Sequence, residues 1–186
     1  MTAPSAVAAF VAFVLRSGTL SFTGHSTLGT FVGTTDAVKG SVTREANLES
    51  ALGWVEAGVA TLVTGNDRRD RDLRATMEVD KYPTMRFELT HVSVEMLGAT
   101  VDTVRVQLHG LMTIHGVTRD VAIPARLFVV GDAIDVVGGF PIDLADYQIG
   151  GLTRFFGALR MQRNIEVNLR LRFEAAGPAA IDKLSP

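Results

Sequence analysis

Histidines are few and cysteines absent in this 186-residue chain, which limits metal and proton-transfer chemistry to small sets of residues. Of its four histidines, His109 and His115 fall on the polar side of one alternating run. Six positions of extended chain span about 20 Å, too far for both to reach one ion. His25 and His91 could meet only across strands, and there is no cysteine to complete a thiolate site. No metal and no cofactor is assigned. Gly24-His25-Ser26 sets a hydroxyl beside an imidazole. Neighbouring strand residues point to opposite faces, so the two are poor partners for proton transfer, and the G-x-S-x-G elbow is missing. Asp67, Arg68, Arg69, Asp70, Arg71, Asp72 and Arg74 form a dense mixed-charge run. Its arginines and a helix start suit a phosphate head group; a solvated helix face, with ion pairs worth a few tenths of a kcal/mol each, produces the same pattern. His25, Arg69, Asp70 and Trp54 are therefore candidates for a rim or head-group contact, and Thr64, Gly65, Arg69 and Asp70 equally for pinning the helix to the barrel rim. An enzyme would have to use His25, Arg69 and Asp70 at one mouth. No dinucleotide fingerprint, P-loop or H-E-x-x-H is present, and no catalytic residue is assigned.

The elements that must position these residues are strands. From Val104 to Val130 two alternating runs flank a short polar turn. Val104, Val106, Leu108, Met112 and Ile114 share one side; Val121, Ile123, Ala125, Leu127 and Val129 continue it after the turn. A period of two gives each strand one wet and one dry face. The alternation recurs at Leu20 and Phe22, at Met85, Phe87 and Leu89, from Ile134 to Leu144, and from Ile165 to Phe173. Only Asn66 to Asp80 reads as helix, with Asn66 or Asp67 as cap and Leu73 and Met77 four apart on one side. Lys81-Tyr82-Pro83 ends it. About eight strands with short turns, following one another without intervening helices, imply an all-β, antiparallel sheet closed into a barrel, with one helix inserted at about residues 66–80.

The net charge of −2 gives no reason to expect nucleic acid. Ala6 to Leu15 is apolar but too short to span a bilayer, and no Lys or Arg precedes it. It is expected to lead into the first strand, with an export signal as the alternative. No stable membrane span is expected, and the expected location is cytoplasmic, with periplasmic or secreted as the alternative. Residues 1–174 are expected to form one domain and residues 175–186 a disordered tail. Homodimerisation through a strand edge or barrel face is left open.

Several segments together resemble the YceI-like family. Thr64-Gly65, Arg69-Asp70, Leu73-Arg74, Tyr82-Pro83 and Phe87 look like its helix-and-strand signature. Gly110-Leu111-Met112-Thr113-Ile114-His115-Gly116-Val117-Thr118-Arg119 looks like its G-x-L-T-I-x-G-V-T hairpin, and His25 and Gly33 fall where the family often has a histidine and a glycine. The resemblance runs from about Val11 to Phe173. It implies an extended, lipocalin-like eight-stranded barrel that binds a polyisoprenoid or similar long apolar molecule, and no catalysis. One departure stands out: Arg154-Phe155-Phe156-Gly157 lacks the acidic residue many members carry there.

An eight-stranded barrel is at the size where side chains either fill the interior or leave room for one ligand. The residues expected to face inward are Leu20, Phe22, Phe87, Leu108, Met112, Ile114, Ile123, Leu127, Phe140, Ile142, Val167 and Leu169, none of them charged. They suit a hydrocarbon guest, each buried methylene contributing about 0.8 kcal/mol before ordering costs. A solid core of the same residues is the competing expectation.

Overall fold

A computed structural model describes residues 11–45, 47–97, 103–150, 153–154 and 159–176. Its elements are β1 (Val11–Ser26), β2 (Gly29–Thr35), β3 (Val38–Arg44), β4 (Leu52–Gly58), α1 (Asp67–Thr76), β5 (Thr84–Leu97), β6 (Thr103–Ile114), β7 (Val117–Val130), β8 (Ala133–Asp143), the two-residue β9 (Thr153–Arg154) and β10 (Leu159–Arg160), and β11 (Asn164–Ala175). Short 3-10 turns follow β4 and β8. The start of the Ala6–Leu15 run and residues 177–186 lie outside the described residues; of the expected tail from 175, Ala175 instead ends β11 opposite Phe13 and Ala176 N–H donates to Ala12 O. Among the described residues, no helix is long and apolar enough to cross a membrane.

The strands close into an eight-stranded antiparallel ring in the order β11, β8, β7, β6, β5, β4, β3, β1, with β1 returning to β11. β2 extends the ring rather than adding to it. β1 is long enough to pair with β3 through Val11 to Val14 and with β2 through Leu20 to Ser26. The pair β2–β3 thus acts as one strand broken at Asp36-Ala37.

Register follows the alternation. Val104 lies opposite Leu127, Leu108 opposite Ile123 and Ile114 opposite Val117, so each pair shares a face and that face is the interior. Phe22 pairs with Val167, which pairs with Phe140. Gly24, Gly33 and Gly40 lie within β1, β2 and β3.

The helix ends earlier than Asp80. Asn66 caps its start, accepting a hydrogen bond from the Arg69 backbone N–H at 3.0 Å. The last helical residue is Thr76. Glu78 then takes a left-handed φ of 45°, and its carbonyl accepts from both Lys81 and Tyr82. Helices usually make this exit at glycine, and no glycine marks it here.

Candidate functional site

The two barrel ends differ. One carries the β1–β2 turn, α1, the β6–β7 turn and Met161. The other carries the start of β1, Arg44 and the segment 47–51. That segment folds across its end of the barrel: Ala51 N–H donates to Leu48 O, Ser50 Oγ accepts from Glu45 N–H, and Ala51 is 2% exposed.

Between the ends the interior is hollow. A cavity of about 420 Å³ is lined from Phe13, Arg44, Leu48 and Ala51 at one end to Ser26, Leu28, Phe31, Arg69 and Met161 at the other. Every inward candidate from Leu20 to Leu169 named from the sequence lies on its wall, so the barrel is not the solid core that the same residues could have made. Phe13 to Ser26 along β1 is some 40 Å of strand, or roughly 30 Å along the axis of a barrel with tilted strands. Spread over that length, the volume is a tube about one hydrocarbon chain wide. Leu28, 85% exposed and yet on the wall, marks the mouth.

The mouth is built around α1. Leu73 and Met77, spaced one turn apart, both reach the wall. Arg69 also lies on it, its guanidinium 4.5 Å over the Phe31 ring. This stacking holds a cation at the rim while turning the apolar ring toward the lumen.

Asp70 pins the helix, as the sequence allowed, rather than offering a head-group contact. It is 6% exposed and accepts from Thr64 N–H at 2.9 Å and from Thr64 Oγ at 2.5 Å. The Thr64 hydroxyl bond holds its carboxyl below the ordinary 3.8, with the Thr64 amide, Arg74 and Arg69 acting in the same direction and burial opposing them. The carboxylate ties the chain before α1 to the helix itself. A depressed carboxylate stabilises the fold above its unfolded value and stops doing so as pH falls through the lower folded value. Asp70→Ala should therefore melt below the native chain at pH 7, with the gap narrowing as pH falls below the ordinary carboxylate value of 3.8. A gap of constant size across that range in thermal melts would contradict this role.

His25 is not on the cavity lining; Trp54 borders it, although its register sets it on the face of β4 opposite Val55. His25 lies on the opposite side of β1 from Phe22 and Ser26, its Nδ1 2.9 Å from Thr30 Oγ1. Trp54 is in register with Ser41 and Glu88, and Arg86 lies 4.6 Å over its ring. Arg86 in turn contacts Glu88 and Glu56. Asp70, His25 and Arg69 thus each hold a separate partner, and no shared polar site forms from them.

The other histidines also depart from expectation. His91 meets not His25 but His109, ring on ring with centroids 4.2 Å apart, and His109 Nε2 lies 2.9 Å from Ser93 Oγ. His115, expected on a polar face or an exposed turn, sits in the β6–β7 turn at 9% exposure. Its Nδ1 is 3.2 Å from Tyr147 O, its ring packs on Tyr82, and Nε2 is 2.8 Å from Glu78 Oε2 without hydrogen-bond alignment. His115 and Glu78 both have left-handed φ. Together they pin the helix exit, the hairpin turn and the 3-10 turn after β8 into one rim. Among the described residues, no three His, Asp or Glu side chains come together as metal ligands.

Sequence reasoning missed Arg44 on the wall. Strict alternation from Val38 through Gly40 and Val42 puts Arg44 on the inner face, but glycine in this stretch obscured the strand. Phe31, between Gly29 and Gly33, was missed for the same reason.

A family model described as YceI-like domain matches residues 12–174. Among solved structures, a polyisoprenoid binding domain from Saccharophagus degradans is 18% identical, with a TM-score of 0.73 over 89% of this chain and 99% of that one. Burkholderia cenocepacia BcnA is 15% identical, with a TM-score of 0.68 over 83% and 95%. The Campylobacter jejuni YceI protein is 19% identical, with a TM-score of 0.61 over 78% and 84%. No curated protein matches.

Proposed function

Because the chain belongs to the YceI-like domain family, we propose that it is a non-catalytic carrier that shelters one long apolar molecule, of polyisoprenoid or fatty-acyl type, inside the barrel. The observation that carries this reading is the mostly apolar cavity, lined from Leu48 and Ala51 at one end of the barrel to Leu73, Met77 and Leu28 at the other. Such a wall cannot orient a reactive polar substrate, but it removes a hydrocarbon chain from water along its whole length. An isoprene unit contributes a few kcal/mol gross, much of it offset by ordering the chain. The likeness to a polyisoprenoid binding domain supports an isoprenoid as the ligand class.

The Arg69–Phe31 stack and the Leu73–Met77 face make α1 the gate beside which a chain enters. Diphenylhexatriene, dark in water and fluorescent when sheltered, tests the reading. The protein should take it up at one molecule per chain, and farnesol or a longer prenol should displace it. Failure of the protein to raise its fluorescence would overturn the proposal.

A further inference from the structure

Among the charged side chains on the lumen wall, one lies at the end away from α1. Arg44 closes β3 on the inner face, at the end of the barrel opposite α1. Its Nε is buried and finds no hydrogen-bond partner among the described residues. Its guanidinium overlies the Phe13 ring at 5.9 Å. A buried N–H left unpaired is costly, and arginine is always charged. Residues 47–51 fold over this end, and Leu48 and Ala51 line the wall beside Arg44. The tube thus ends in an apolar cup with one cationic donor in it, while Arg69 at the mouth is already stacked on Phe31.

We infer that Arg44 is the receptor for the ligand's terminal group, an oxygen that accepts hydrogen bonds and carries negative charge, so that the ligand lies with this end deep and its chain toward α1. The inference rests on the carrier reading and adds a direction and an end-group chemistry to it. A planar guanidinium suits both a carboxylate and a phosphate, and both satisfy Nε.

Displacement of diphenylhexatriene by three chains of equal length separates the possibilities: hexadecane, hexadecanoate and hexadecyl phosphate, each delivered on cyclodextrin. The native protein should bind at least one of the two anions about tenfold or more tighter than the alkane. Arg44→Met should erase that preference and leave alkane affinity unchanged, and Arg44→Lys should restore part of it. Whichever anion gains more identifies the end group. Arg69→Met should leave the preference intact. Equal affinity for all three chains in the native protein overturns the inference, as does a preference that survives Arg44→Met or vanishes with Arg69→Met. An equal loss of alkane and anion binding in Arg44→Met also overturns it, since a merely structural arginine would act on both. Failure of the native protein to take up diphenylhexatriene at all is the distinct signature of a failed carrier reading, and refutes this inference with it.

Discussion

Replacing Val55 and Val167 together by phenylalanine should lower affinity for diphenylhexatriene or a long prenol by about 100-fold, the equivalent of denying the guest three or four methylenes at about 0.8 kcal/mol each. Both valines are half-buried and project from β4 and β11 into the tube. The added rings would occupy the path a chain must follow. Phenylalanine has no polar atom to leave unpaired there, unlike tryptophan. Overpacking a solid core costs 1–3 kcal/mol, but these rings enter open space, so the urea midpoint should move little. Unchanged affinity in a folded double variant would mean that the guest does not use the lumen. A collapsed midpoint would mean that the interior is more tightly filled than the cavity implies.

Gly110→Ala should have the largest effect on the barrel itself, a loss of about 3 kcal/mol in unfolding free energy. Gly110 lies on the inner face of β6 opposite Leu89, next to the irregularity in β5 between Leu89 and His91. There the β5 backbone swings toward β6. A Cβ at 110 would collide with the Glu88 carbonyl oxygen and come within 2.9 Å of its carbon. Backbone held in the ladder cannot retreat as the end of a flexible side chain can. Alanine also removes freedom from the unfolded chain, a gain of at most about 1 kcal/mol, too small to reverse the sign. Urea unfolding followed by circular dichroism checks this; an alanine variant as stable as the parent would mean that β5 is free to shift.

Where the sequence was legible, the reason was period. From Val104 to Val130 the alternation is nearly unbroken, and β6 and β7 pair with Val104 opposite Leu127 and Ile114 opposite Val117. The same holds for β11, whose Val167 and Leu169 reach the lumen. The helix start was legible because Asn66 is a strong cap. Its end was hidden because Glu78, not glycine, turns the chain. The rim was hardest to read. Asp70 and Arg69 are neighbours in sequence, yet one is sealed against Thr64 and the other stacks on Phe31. Arg44 was overlooked because Gly40 weakened the pattern that places it. Side-chain partners drawn from distant segments, as with His115, Tyr82 and Tyr147, leave no periodic trace at all.

The account stands on a hollow interior that takes up one hydrophobic chain from its surroundings. Native mass spectrometry of protein purified without detergent, after exposure to vesicles carrying a long-chain prenol, reads this directly. The expected spectrum shows a one-to-one adduct at the mass of the prenol, released on collisional activation and absent from the Val55→Phe, Val167→Phe double variant. A spectrum of bare chain alone, or an adduct of equal abundance in the double variant, would contradict it.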